Sequence, residues 1–315
     1  MAFALGPKAL AGGYRLAAFE TIGSTSAEAL KRARAGNKGR LWVTAIAQTE
    51  GHGRRGRPWQ TPTGNLAASL LMPVAGQGSK TATLGFVAGL ALADAIRAVA
   101  PRLSPPPLRG RVPLSLAKGA GEGEAELALR HHPLSRPSGD AEGHPLPQGE
   151  RGSQWRAECG LQLKWPNDVL VDGAKVAGIL LEAATLPGAS ASVVVGIGVN
   201  VRHAPEGVPY PATSLAAMGF GVTAEALFQA LSEAWVEQIA IWDNGRGFAD
   251  IRRNWLDLAA GLGGAIAVRV GAEMVRGTFE TIDAEGRLVV RGSDGTARQV
   301  TAGEVHFGHA LTMAL

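Results

Sequence analysis

With 315 residues, 46% of them apolar, the chain is long enough to bury a sizeable core and to hold one large domain or two. Its 31 lysines and arginines outnumber its 27 aspartates and glutamates, and the resulting net charge of +4, spread without a dense basic block, permits anionic ligands but leaves no nucleic-acid footprint. The one cysteine, Cys159, excludes an internal disulfide and suits a reducing compartment.

The opening MAFALGPKALAGGYRL has no basic n-region, and Pro7 and Lys8 break its apolar run, so no signal peptide is expected. Residues 19–22 read as a short strand, followed by Gly23-Ser24-Thr25-Ser26. Thr25 with Glu28 three positions on is a capping-box pattern opening a helix to about residue 35, where Gly36 stops it. Capping alone accounts for Ser24 and Thr25, although a helix N-terminus also offers free N–H groups to an acceptor. Residues 41–47 form a buried strand that Gln48 leaves. The next stretch, GHGRRGRPW at 51–59, spaces three glycines so that neither helix nor strand is stable, which makes it a mobile loop. Arg54, Arg55 and Arg57 on such a loop suit anions, because a guanidinium pairs with phosphate through a rigid fork. Taken alone the loop reads more readily as a solvated basic turn, and its GxGxxG spacing leads into no helix and argues for no dinucleotide fold.

Residues 65–73 are the next core strand, and residues 84–100 the helix behind it; the length of that helix, Asp94 and Arg97 mark it as a core helix and not a membrane span. The pattern then collapses. Nine of the 18 prolines fall between Pro101 and Pro147, no apolar period persists, and residues 102–155 read as an inserted, largely disordered segment. Order returns at 161–182, LQLKWPNDVLVDGAKVAGILLE, which reads as a hairpin with polar residues where a core strand should have none. Leu161, Leu163 and Trp165 alternate with Gln162 and Lys164, Pro166 loosens the pairing before Asn167 and Asp168, and Asp172-Gly173 is a two-residue turn. A tight closure there puts Asp168 opposite Ala177 and beside Gly178, with Lys175 one pair beyond the turn. Each of these residues alone is ordinary in a hairpin with snorkelling lysines; together they point to a site.

Residues 191–201 form an apolar strand closing on Asn200, and two amphipathic helices follow at 223–242 and 248–258, their Trp and Phe spaced as core. After a glycine-rich break at 261–264, short strands at 265–270, 274–282, 287–291, 298–300 and 305–307 alternate with turn signals, the pattern of a small β-barrel.

KWPNDV followed by KVAGIL resembles the signature of biotin–protein ligases. The Ser24-Thr25 pair, the loop after Gln48 (similar to the family's GRGRRGR-x-W, with His52 in place of its first arginine), the GIGVN strand end and the terminal barrel extend that resemblance in the family's order. It implies an α+β fold: a mixed-sheet catalytic domain of the biotin/lipoate ligase type over residues 1–262, interrupted by the 102–155 insertion, and an SH3-like barrel over 263–315. It also implies an ATP-dependent, AMP-forming ligase of the biotin–acetyl-CoA-carboxylase type, monofunctional and lacking an N-terminal DNA-binding domain. Such an enzyme activates biotin as biotinyl-5′-adenylate, releasing pyrophosphate, and passes it to a lysine of a biotin carboxyl carrier protein. By resemblance, Lys164, Arg54 and Lys175 are catalytic. Ser24, Thr25, Ser26 (where the family usually has Asn), Gln48, His52, Gly53, Arg54, Lys164 and Gly178 meet biotin. Arg54, Arg55, Trp59, Asn167, Asp168, Lys175 and Asn200 meet ATP or the adenylate.

The residue types suit that chemistry. Cations can bring two anions together and offset charge growing on phosphorus oxygens, and hydroxyl and amide groups can satisfy a buried ureido ring. No His, Cys or carboxylate cluster suggests a protein-built metal site, so Mg2+ is expected to enter on the triphosphate. The implied protein is cytoplasmic, binds neither DNA nor membrane, and is compatible with a homodimer. Two alternatives remain: a lipoate or octanoate ligase or transferase, expected to lack the arginine loop and the barrel, and a biotin-responsive repressor, which would need a winged helix ahead of Ser24.

Overall fold

The computed structural model describes residues 2–74, 79–101, 160–184 and 192–307; the expected insertion at 102–155 and Cys159 lie outside them. Pro7, at a helix start where its missing N–H costs nothing, opens the short helix α1 (Pro7–Ala11), in a stretch that read only as a broken apolar run. Strand β1 (Arg15–Ile22) begins at residue 15, not 19, and runs along the sheet edge, where its alternation of exposed and half-buried residues is too irregular to read. In helix α2 (Thr25–Arg34) the cap is Ser24, whose Oγ accepts the Ala27 N–H at 3.3 Å. Thr25 is the first helical residue, and Glu28 turns forward to Arg32 (2.7 Å), so the capping box expected of Thr25 and Glu28 does not form.

Strand β2 (Leu41–Gln48) keeps Gln48 as its last residue. Next come β3 (Leu66–Pro73), the short α3 (Ser79–Ala82) and α4 (Leu84–Val99), then β4 (Leu161–Lys164), β5 (Asp168–Val171), β6 (Ala174–Ala184) and β7 (Ser192–Val199). Helices α5 (Ala224–Trp242) and α6 (Phe248–Asp257) complete this part of the chain. The seven strands form one mixed sheet in the order β1-β2-β3-β7-β6-β5-β4, parallel only between β1 and β2.

Strand periodicity divides the apolar residues between two layers. Trp42, Leu70 and Val195 point to the face covered by α4 and α5, where Trp42 meets Phe228 and Trp235 edge to face at 5.5 and 6.2 Å. Leu41, Val43, Leu71 and Val194 point the other way, against Ala29 and Ala33 of α2. The aromatic residues of α5 and α6 are core, as their spacing suggested: Trp235 Nε1 donates to Tyr14 (3.0 Å), Trp242 Nε1 to Thr83 (2.8 Å), and Phe248 and Trp255 pack on Phe86. Among the described residues one helical stretch, Lys80–Val99, is long and apolar enough to cross a membrane by composition, and most of it is buried inside the fold.

Residues 161–182 form a three-stranded meander and not one hairpin. The chain reverses at Trp165-Pro166-Asn167, through a cis Trp165–Pro166 peptide, so that Lys164 pairs with Asp168. It reverses again at Asp172-Gly173, both at positive φ. A β-bulge at Val176 then shifts the register: Leu170 faces Lys175, but Val169 faces Ala177 and Asp168 faces Gly178, not Ala177.

Beyond residue 264, β8 (Ala265–Val270), β9 (Glu273–Ile282), β10 (Leu288–Arg291), β11 (Ala297–Val300) and β12 (Glu304–Phe307) pair antiparallel in the order β11-β10-β9-β8-β12. Val268, Phe279, Ile282, Leu288 and Val290 fill this second sheet's interior.

Candidate active site

One row of register partners crosses the large sheet: Ala45, Ala67, Gly198, Gly178, Asp168 and Lys164. Paired residues share a face, so this row lies on the α2 side, beyond the helix N-terminus. The neighbouring row is Val43, Ser69, Gly196 and Leu180. Where α2 covers the sheet the residues are branched and apolar; past the helix they shrink to Ala, Gly and Ser. The result is a trough across the sheet, closed at one end by hydroxyls and at the other by cations.

The bulge at Val176 builds the cation end. In a regular strand Lys175 and Gly178 would face opposite ways; the extra residue lets both face the trough and sends Ala177 into the core. The bulge is held from behind, because Asn200 N donates to Val176 O (2.8 Å), Lys175 N to Pro211 O (2.8 Å) and Thr213 N to Lys175 O (2.9 Å).

At the hydroxyl end, Thr25 donates to Gln48 Oε1 from both its backbone N (2.8 Å) and its Oγ1 (3.0 Å), and Gln48 Nε2 donates to Thr61 Oγ1 (3.0 Å). Ser69 Oγ lies 2.8 Å from Thr25 Oγ1 and 3.0 Å from Ser26 Oγ. Ser24, Thr25, Ser26 and Ser69 are all buried. The sequence reading missed Ser69, a lone hydroxyl within an otherwise apolar strand, which must find a partner if buried.

The arginine loop forms no long element, as its glycines require, but it takes a defined path. Bridges pair Gln48 with Thr61 and His52 with Pro58, a short 3-10 turn spans Arg54–Gly56, and Gly53 N donates to Arg57 O (2.8 Å). Trp59 lies flat on the trough floor. A Cβ on Gly198 would overlap its indole, and one on Gly178 would lie 3.4 Å from it, which is why the floor is glycine there. His52 Nε2 stands 3.4 Å from Glu182 Oε1. Arg54 Nη1 donates to Asn167 Oδ1 (3.1 Å) and to Gly303 O (3.4 Å). Arg57 makes a two-pronged pair with Glu304 (3.1 and 3.0 Å), and Arg55 approaches the same carboxylate at 3.9 Å. Hydrogen bonding from Arg57 holds Glu304 below the usual carboxylate range.

Strand β12 therefore forms one wall of the site, which the sequence reading did not foresee. Phe307 lies under the Lys164 ammonium, 5.3 Å from Nζ to the ring centre. Burial lowers the affinity of Lys164 for its proton; Asp168 and Glu304 oppose that shift and Lys175 adds to it. Burial also lowers His306, whose Nε2 is enclosed without a hydrogen-bond partner, and Lys164 and Arg269 push it the same way against Glu304. Lys175 Nζ sits 2.6 Å from Asp168 Oδ1 and over two rings, Trp59 at 5.6 Å and Tyr210 at 5.5 Å.

The structure thus gathers Lys164, Lys175, Arg54, Asn167, Asp168, Trp59 and Gly178 at one end of the trough, and Ser24, Thr25, Ser26 and Gln48 at the other. Two of the expected residues also bind backbone carbonyls. Asn200 is buried, its Nδ2 donating to Thr213 O (3.1 Å), and Asn167 Nδ2 donates to Ile179 O (3.0 Å). Among the described residues no group of three or more His, Cys, Asp or Glu could hold a metal ion.

Residues 19–200 match the Biotin/lipoate A/B protein ligase family, and residues 261–308 match the Biotin protein ligase C terminal domain. The chain is 39% identical to a biotin–acetyl-CoA-carboxylase ligase of Paracoccus denitrificans, over 90% of this chain and 97% of that one. It is 31% identical to the enzyme of the same name from Mycobacterium tuberculosis, over 90% of this chain and 85% of that one. Among solved structures it resembles the Aquifex aeolicus biotin protein ligase in complex with biotin and ATP, with a TM-score of 0.63 at 19% identity, covering 93% of this chain and 98% of that one. The Leishmania major biotin protein ligase in complex with biotinyl-5-AMP follows at a TM-score of 0.52 and 21% identity, covering 91% and 99%.

Proposed function

The chain belongs to the biotin/lipoate A/B protein ligase family, and on that premise we propose that it is a biotin–protein ligase working along the trough. In the first step a biotin carboxylate oxygen attacks the α-phosphorus of MgATP; pyrophosphate leaves, and biotinyl-5′-adenylate remains. In the second, the amine of a lysine on a biotin carboxyl carrier domain attacks the acyl carbon, and AMP departs. The observation that carries this reading is the single row of small residues linking a buried hydroxyl–amide cluster to a cation cluster.

The ureido ring of biotin needs partners for its N–H and C=O groups once buried, and Thr25, Ser26, Gln48 and Ser69 offer hydroxyl and amide groups of both senses. Its ring and valeryl carbons fit the Ala end of the floor, with Trp59 as a lid over the glycine end. The carboxylate then ends near Lys164, Lys175 and Arg54, which draw the two anions together and offset charge growing on the phosphorus oxygens. Arg55, Asn167 and Asp168 line the nucleotide side, and His52 and Gly53 the loop over biotin. Asn200 contributes by holding the segment that backs Lys175. Magnesium belongs to the substrate, arriving on the triphosphate.

We divide the chain into a catalytic domain over 1–262, with 102–155 as an insertion, and the barrel over 263–315. We place the protein in the cytoplasm with a biotin carboxyl carrier domain as partner and no role for DNA. The arginine loop and the terminal barrel favour biotin over lipoate or octanoate. Pyrophosphate release from ATP, measured without carrier and with the three acids side by side, tests the proposal. Release is expected with biotin only, and release with lipoate or octanoate but not biotin would overturn it.

A further inference from the structure

Tyr210 belongs to no motif read from the sequence, yet it stands at the working end of the trough. Its ring centre is 5.5 Å from Lys175 Nζ, Trp59 is 5.6 Å from the same atom, and Asp168 Oδ1 is 2.6 Å away. The lysine is mostly buried in this setting, with 17% of its side chain exposed. The segment bearing Tyr210 is not a free loop. Pro211 O and Thr213 N are hydrogen-bonded to the backbone of Lys175, and the side chain and carbonyl of Asn200 tie down Thr213 and Leu215. The same hydrogen bonds thus fix the base of Lys175 and the ring that meets its tip.

We propose that Tyr210 is a positioning residue for Lys175 in the adenylation step, its ring face and that of Trp59 holding the ammonium group where it can pass from Asp168 to a substrate phosphate. A carboxylate alone would hold the ammonium by a strong hydrogen-bonded ion pair, which competes with an incoming phosphate for the same protons. Ring faces attract the charge without accepting its hydrogen bonds in the same directional way, so they keep the ammonium in place while its N–H groups turn from the carboxylate to the phosphate. Trp59 supplies one face from the loop beyond strand β2. Tyr210 supplies the other from a segment hydrogen-bonded to β6. The proposal rests on the adenylation reading above and adds to it a residue outside the biotin-facing set named there.

The test uses the full-length chain with Tyr210 replaced by Phe, by phenylalanine carrying one, two or three ring fluorines, and by Leu. All the ring variants keep the size and shape of the side chain. Fluorine drains the negative face of the ring stepwise. The expected result is that Tyr210→Phe retains most of the biotin-dependent pyrophosphate release, and that kcat then falls stepwise with fluorination toward a Tyr210→Leu value roughly three- to tenfold below wild type. KM for biotin should hold throughout. A kcat indifferent to fluorination would overturn the proposal, as would a Phe variant as slow as Leu, which would assign the effect to the hydroxyl. If the Leu variant does not fold, the isosteric series decides alone. A wild-type chain silent with biotin would sink the adenylation reading itself, an outcome separate from a fluorination series that is active but flat.

Discussion

Lys164 is where charge and burial meet most directly. It ends β4, its ammonium lies over Phe307, and burial keeps it below the ordinary lysine value of 10.5. Two consequences follow with opposite signs. If the charged form offsets the growing phosphate charge, adenylation should fail as pH rises through the lowered value, earlier than an ordinary lysine would dictate. For stability, the unfolded chain binds its proton more tightly than the folded one, so the folded state gains from rising pH only between the lowered value and 10.5. Below that window the charged lysine is a cost to folding. Lys164→Met should therefore stay within about 1 kcal/mol of wild-type stability at neutral pH, while the first-step rate drops about 100-fold or more, the scale of losing one preorganised charge contact. A denaturant melt beside single-turnover pyrophosphate release checks both. A melted variant would make the lysine structural, and an unchanged rate would remove it from the chemistry. Lys164 was legible in the sequence because a lysine alternating with Leu163 and Trp165 can only face away from their side of the sheet. Ser69 was not, since a serine inside an apolar strand looks the same whether it faces a helix or a ligand.

At the scale of elements, the β6 bulge and the glycines of β6 and β7 set the shape of the trough. The order and type of the long strands and helices followed from periodicity, since most of them bury one clear face. The register of β5 against β6 did not. A regular hairpin from Asp172-Gly173 is the local optimum, and the bulge exists because residues 200, 211 and 213, far along the chain, take the hydrogen bonds of Lys175 and Val176. Local sequence holds no trace of those distant partners. The floor they leave is testable at Gly198. This residue lies in an extended strand with no positive φ, so Gly198→Ala should fold. Its new methyl group would occupy the space of the Trp59 indole and lift the lid. The expected outcome is a KM for biotin raised on the order of tenfold, about 1.4 kcal/mol, with kcat less affected. If KM is unchanged, Trp59 does not rest on that floor during turnover.

Over the whole molecule, the terminal sheet is joined to the catalytic part by contacts of two kinds, and a truncation can tell them apart. Some contacts cover core: Trp165 Nε1 donates to Gly286 O (3.2 Å), and Gly286 sits against Phe86, close enough that a Cβ there would lie 3.0 Å from the ring. Others reach the site: Gly303 O accepts from Arg54, Glu304 holds Arg57, and Phe307 underlies Lys164. Ending the chain at residue 262 removes both kinds, so stability and adenylation should fall together, with loss of the Phe86 and Trp165 cover outweighing the exposed arginine pairs. Glu304→Ala removes only a contact of the second kind. It should leave the free energy of unfolding within about 1 kcal/mol of wild type, because Arg57 is largely exposed and its ion pair adds little to the fold. It should nevertheless alter KM for ATP, because Arg55 and Arg57 lose the carboxylate that sets where they stand. Thermal melts and ATP titrations on the two variants separate these contributions. A truncated chain that still adenylates biotin at the wild-type rate would mean that β12 only borders the site. A Glu304→Ala chain that melts like the truncation would mean that the loop, and not the core contact, joins the two parts.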